Sequence, residues 1–179
     1  GVAVSTLTNL VGVGAGLYHT LAVKSDGTVW AWGLNANGQL GDGTTTQRLT
    51  PVQVSGLSGI VSVDGGDAQS VAVKSDGTVW AWGINSSGQL GDTTTTQRTA
   101  PVQVSGVSAA MVAVTGGYHG VSAIADGTMR AWGINANGQL GDNTTVNHLV
   151  PSSITTDTVA PTAPSNVRLS FLTSGAVTL

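Results

Sequence analysis

Three loop positions spaced 50 residues apart carry the side chains best suited to engage a partner: Tyr18-His19, Ala68-Gln69 and Tyr118-His119. A phenol beside an imidazole offers an amphipathic ring, a hydrogen-bonding tip and a group that titrates near neutrality. The pair changes from copy to copy, and loops are where binding residues concentrate. Tyr18, His19, Tyr118 and His119 are therefore read as candidate anchors for a protein partner. A second series reads Trp30, Trp80, Arg130. Arg130 interrupts the aromatic line, and in a stack of successive units it is expected over Trp80 in a cation–π contact. His148 stands alone and reads as a surface loop residue.

Catalytic and metal chemistry find no support. All nine acidic residues are Asp, and no His-x-x-x-His pair, calcium-loop spacing, phosphate loop or nucleophile elbow occurs. Cysteine is absent, which excludes disulfides and thiolate metal sites. The expectation is a non-enzyme with no cofactor and no metal. Six scattered Lys and Arg and a net charge of −3 form no basic stripe, which argues against nucleic acid as a partner. No apolar run approaches the roughly 20 residues of a membrane helix. Asn85-Ser86-Ser87 and Asn143-Thr144-Thr145 match the N-glycosylation acceptor pattern, which makes Asn85 and Asn143 candidate acceptors in a secreted chain.

These residues are positioned by one unit written three times. SDGTVWAWG at 25–33 recurs at 75–83 and returns as ADGTMRAWG at 125–133. A fixed period of this length marks solenoids, propellers or arrays, whose units bury their apolar faces only by stacking. Within the middle copy, Val52–Ser55, Ile60–Val63, Ser70–Lys74 and Thr78–Trp82 read as short strands joined by Gly-rich turns. Asp26, Asp76 and Asp126 each precede Gly in a hairpin signal that suits a type I′ turn. Trp32, Trp82 and Trp132 fall on one line and read as unit-to-unit packing. Gln39, Gln89 and Gln139 lie in Asn-x-x-Gly-Gln-Leu-Gly-Asp segments and read as turn architecture rather than ligand sites. Four strands in each period of 50 residues is the arithmetic of a propeller blade. The predicted fold is all-β, with three four-stranded antiparallel blades over 1–154, at about 1–50, 51–100 and 101–150. A Pro- and Thr-rich linker follows at 155–164, then an alternating strand at 165–179.

The pattern Gly16-Leu17-Tyr18-His19-Thr20-Leu21-Ala22-Val23, followed by Asp26–Gly41 with its Trp-Gly and Gly-Gln-Leu-Gly elements, resembles the regulator of chromosome condensation repeat. The third copy keeps Gly117, Tyr118 and His119, then Asp126–Gly141. The resemblance implies a β-propeller of about seven blades, so three copies are a partial propeller or a ring completed by other chains. It also implies protein binding through propeller faces and loops; some secreted bacterial relatives inhibit β-lactamases in this way. The segment 165–179 resembles the opening strand of a fibronectin type III domain.

Low charge, absence of cysteine, Thr-rich loops and the fibronectin-like tail point to a non-enzymatic extracellular or cell-surface scaffold for protein binding or adhesion. The partner is a protein or the chain itself, as part of a larger chain or a homo-oligomer. The alternative is a surface fibre or sheath subunit that assembles through blade edges and the C-terminal strand. The family's role in nucleotide exchange on a GTPase with chromatin binding is a remote reading, because insertions between strands and basic tails are absent.

Overall fold

The computed structural model describes residues 7–154, so the expectations for 1–6, the 155–164 linker and the 165–179 strand lie outside the described residues. Twelve strands follow in order: β1 Leu10–Ala15, β2 His19–Lys24, β3 Val29–Gly33, β4 Arg48–Gln53, β5 Ile60–Gly65, β6 Gln69–Lys74, β7 Val79–Gly83, β8 Arg98–Gln103, β9 Ala110–Thr115, β10 His119–Ile124, β11 Met129–Gly133 and β12 His148–Ser153. They form three four-stranded sheets in sequential order, every pair antiparallel. The all-β reading with three four-stranded blades holds.

The phase of the repeat differs from its reading in the sequence. The segment at Pro51 closes the sheet before it, because β4 pairs with β3 through Ala31 and Val52. The sheets thus break in the loops after Val54 and Val104, and the prolines lie on outermost strands. An edge strand tolerates a residue with no N–H to donate. At the other side of each sheet, β1 packs on β5 and β5 on β9, so these first strands line the common axis.

The hairpins also depart from the expected type I′ geometry. Gly27 N–H donates to the Lys24 carbonyl at 2.8 Å and Lys24 N–H to the Thr28 carbonyl at 3.0 Å. Gly27 alone is left-handed there, at φ 77°. This is a three-residue loop with glycine at the left-handed position. Asp26 remains right-handed because its Oδ1 is occupied, accepting from Thr28 N–H and from the Thr28 hydroxyl. Asp76 and Asp126 hold their threonines in the same way.

No blade encloses a core of its own. The first core joins Leu21, Val23, Val29, Ala31, Leu40 and Val54 of blade one to Ile60, Val63, Ala72 and Trp82 of blade two. The second repeats this between blades two and three, with Trp132 at the position of Trp82. Each buried indole is pinned as well as packed: Trp82 Nε1 donates to the Gln39 carbonyl at 2.8 Å, and Trp132 Nε1 to the Gln89 carbonyl at 2.9 Å. Gly41 is required at the first junction, since a Cβ there would sit 2.8 Å from Trp82 Nε1.

One junction position carries strain. Gly43, Thr93 and Asn143 are equivalent and left-handed, at φ 84°, 72° and 62°. Gly43 and Thr93 donate their N–H groups to the carbonyls of Thr99 and Leu149 on the following blade, which fixes that conformation. Glycine adopts it freely and asparagine tolerates it, but a β-branched residue does so at a cost of about 1–2 kcal/mol. Thr93→Gly is therefore expected to stabilise the fold by about 1 kcal/mol, read as a higher urea midpoint at unchanged slope.

Candidate binding face

Each blade brings two loops to the same end of the stack. The short loop after the first strand carries Leu17-Tyr18, Asp67-Ala68 or Gly117-Tyr118, and the long loop links the third strand to the fourth. A backbone bond locks them together: Leu34 N–H to the Tyr18 carbonyl at 2.8 Å, Ile84 to Ala68 and Ile134 to Tyr118 at 2.9 Å.

The long loop is rigid because one buried amide organises it. Asn35 Nδ2 donates to Asp42 Oδ1 and to the carbonyls of Thr44 and Thr46, while its Oδ1 accepts from Leu40 N–H at 3.0 Å. Asp42 in turn pairs with Arg48 at 2.7 Å, and Asp92 with Arg98 at 2.8 Å. Burial alone would raise the Asp42 carboxyl, but the Thr44 hydroxyl and the Arg48 guanidinium together hold it below its ordinary value. In blade three His148 stands where the other blades have arginine, with Nε2 2.7 Å from Asp142 Oδ2. His148 is thus the first residue of β12 and stands against the Asp142 carboxylate, and is not a solitary loop residue. Aligning Arg48, Arg98 and His148 on the 50-residue grid would have found it.

On this frame Tyr18 is 65% exposed, with Leu17 and Tyr118 also exposed. Tyr18 borders a shallow groove of about 420 Å³ with Gly33, Leu34 and Gln47. His19 does not join them. It is 3% exposed, with Nε2 2.8 Å from the Ser70 hydroxyl on the next blade. Ser70 Oγ donates its proton to the Gln39 carbonyl at 2.8 Å, so Nε2 must be the protonated ring nitrogen. Nδ1 is buried without a partner. The expected binding role of His19 is therefore corrected to a junction role. Its equivalent Gln69 does the same work by other bonds, from Nε2 to the Thr115 hydroxyl and the Gly116 carbonyl, both at 2.7 Å. His119 is half-buried on the last blade.

The remaining sequence candidates separate by role. Arg130 lies at the opposite end, where Nη1 donates to the Thr128 hydroxyl and the Met129 carbonyl, both at 3.1 Å. Trp30 and Trp80 donate to Thr28 and Thr78 in the same manner. Arg130 thus takes the place of an indole on its own hairpin and is held there by these two bonds. Gln39, Gln89 and Gln139 accept through Oε1 from the N–H two residues earlier and brace their own turns. Trp82 and Trp132 are fully buried, whereas Trp32, with no blade before it among the described residues, is half-buried. Asn85 is fully buried and donates to Asp92, Thr94 and Thr96, so it offers no amide to a glycan. Asn143 is exposed. Thr28 hydrogen bonds, with help from Lys24, hold the Asp26 carboxyl down to about 2. Among the described residues no group of three or more His, Cys, Asp or Glu is placed to hold a metal ion.

Burial lowers the His19 imidazole from 6.5 to about 4. The unfolded chain binds a proton at His19 as pH falls through 6.5, and the folded chain only near 4. The neutral-side contribution is whole above pH 6.5 and is lost as pH falls towards 4, by up to about 3 kcal/mol. His19→Gln, the residue used at 69, is expected to remove that part of the acid sensitivity. Urea midpoints at pH 7.5 and 4.5 check this: the wild type should lose more between the two than the variant.

Relatives and solved structures agree with this geometry. The regulator of chromosome condensation (RCC1) repeat matches residues 26–73, 76–124 and 126–163, and a second description of the same repeat matches 10–39 and 60–89. A 45-residue stretch is 49% identical to the human E3 ubiquitin-protein ligase HERC2, covering 25% of this chain and 1% of that one. Another of 46 residues is 41% identical to the X-linked retinitis pigmentosa GTPase regulator homolog of Caenorhabditis elegans, covering 26% and 3%. The structure of human WBSCR16 is similar at a TM-score of 0.73 and 27% identity, over 81% of this chain and 37% of that one. Prp20p from Saccharomyces cerevisiae gives 0.73 at 20% identity, over 86% and 40%. The chain thus spans a small part of these curated relatives and about two fifths of the solved propellers. With three repeat matches over most of its length and the blade geometry to accompany them, the chain belongs to the RCC1 repeat family.

Proposed function

We propose that the chain is a non-catalytic protein-binding scaffold whose binding end is the one that presents Leu17-Tyr18 and Tyr118. The observation that carries this reading is the contrast between constant and variable positions. The Asn-centred long loops and the hairpins recur in every blade, and Trp82 and Trp132 recur buried at the two junctions. The short loops locked onto them vary and expose an aromatic ring beside an apolar groove. Tyrosine supplies large contact area with little rotamer entropy to lose, which suits an anchor on a rigid support.

Composition supports an extracellular or cell-surface setting for such a scaffold: 8% charged residues, no cysteine, and Thr-rich long loops. The solved Prp20p is described with binding to Gsp1p and histones. An exchange-factor role of that kind has less support here, because the three blades are equal in length and the net charge is negative. Partner capture on the immobilised chain tests the reading. Tyr18→Ala with Tyr118→Ala is expected to weaken capture at least tenfold, whereas Arg130→Ala at the opposite end leaves it unchanged. Equal loss from both variants would contradict the assignment of the face.

A further inference from the structure

The junction between blades one and two is tied by a relay that begins at a titratable ring. His19 Nε2 of blade one donates to the Ser70 hydroxyl of blade two, and Ser70 Oγ donates back to the Gln39 carbonyl of blade one, each at 2.8 Å. The same carbonyl accepts the Trp82 indole N–H of blade two at 2.8 Å. The junction between blades two and three is built without this relay. Gln69 stands there in place of His19 and Gly120 in place of Ser70. The Gln69 amide goes to Thr115 and Gly116, and the Gln89 carbonyl takes the Trp132 indole with no hydroxyl from position 120.

A second proton on the His19 ring has no place in the closed junction. Nδ1 is buried without a partner among the described residues. Gly16 seals that edge: a Cβ there would overlap Nδ1, Cε1 and the Gly66 carbonyl, which already accepts from Leu17 N–H at 3.1 Å. The charged groups of the surrounding elements are engaged elsewhere. Lys24 and Lys74, on β2 and β6, pair with Asp26 and Asp76 at the opposite end of the blades. Asp42 of the long loop is held by Asn35 and Arg48. Asp64 and Asp67 turn towards blade three, where Asp64 Oδ2 accepts from Thr115 N–H at 2.9 Å and the Asp67 carboxylate lies 3.4 Å from where a Gly117 Cβ would stand. Tyr18, beside His19, is exposed. An imidazolium at this position would thus be a buried charge with no counter-ion, which is costly.

We infer that His19 is an acid-operated latch: proton uptake by its ring parts blade one from blade two while blades two and three stay joined. The imidazolium reaches water only by leaving Ser70, which ends the relay to Gln39 and removes the support of the Trp82 bond. A stack of units can open at one junction without unfolding as a whole. The opened ring binds a proton near 6.5 and the closed one only near 4, so at pH 5 the opened population exceeds its level at pH 7.5 by about 30-fold. Leu17-Tyr18 precede His19 directly and are tied to blade two by the Leu17 bond, so Tyr18 moves with the latch. The opening itself does not rest on the binding end proposed above.

Amide hydrogen exchange resolved by NMR on the full 179-residue chain tests this. The N–H groups of Gly43 and Ile60 cross the first junction, to the Thr99 and Gly27 carbonyls. Their equivalents Thr93 and Ala110 cross the second, to Leu149 and Gly77. Wild-type rates are divided by those of His19→Gln at the same pH, which cancels the intrinsic pH dependence and any change in resting stability. From pH 7.5 to 5 this ratio is expected to rise about 30-fold at Gly43 and Ile60 and to stay level at Thr93 and Ala110. Within the wild type alone, the ratio of Gly43 to Thr93 and of Ile60 to Ala110 gives the same reading should the variant fail to fold. A rise at all four amides would mean that acid unfolds the whole stack, and the inference would be overturned. So it would by a ratio that stays level at Gly43 and Ile60.

Discussion

A single contact between neighbouring blades sets the terms for the rest of the structure: an indole N–H given to a main-chain carbonyl on the blade before it, 43 residues earlier. The sheets cannot stand alone, because the residues on their two faces form cores only with the next sheet. Trp82 and Trp132 supply the largest buried side chains of these cores and orient them through one directed bond. That bond requires the accepting loop to approach closely, and so it dictates Gly41 beneath Trp82 and Gly91 beneath Trp132. The Gly-Gln-Leu-Gly signature is thus the receptor for a tryptophan that lies in the following copy. Stability in such a stack is close to a sum of unit and junction contributions.

The same arrangement separates what must stay constant from what can vary. The buried Asn35, Asn85 and Asn135 each gather their own long loop into a fixed shape, and the Asp26, Asp76 and Asp126 turns fix the other end of each blade. Neither task involves the short loops beyond one backbone bond to the residue at 18, 68 or 118. Side chains at those positions are therefore free to change without disturbing the frame, which is how Tyr18, Ala68 and Tyr118 come to occupy equivalent places.

Local pattern was enough for strand content, blade count and the packing role of Trp82 and Trp132, because alternation and repetition are properties of neighbouring residues. What escaped it depended on residues distant in the chain. His19 looked like a loop anchor, but Ser70 lies opposite it, 51 positions away, and takes it into the junction. Asn85 matched a glycan acceptor by its two following residues, yet three bonds to Asp92, Thr94 and Thr96 bury it. The blade phase escaped because Pro51 marks a period equally well from either side, and only pairing of Val52 with Ala31 assigns it to the sheet before.

The central claim is that the junction, not the blade, is the unit of stability, and one pair of identical substitutions tests it most directly. Trp82→Ala and Trp32→Ala remove the same side chain from the same repeat position, one with a blade before it among the described residues and one without. Urea unfolding is measured for each. The account predicts a loss of about 3–5 kcal/mol for Trp82→Ala and less than half of that for Trp32→Ala. Equal losses would mean that each blade is held by its own contacts, and the account would fail.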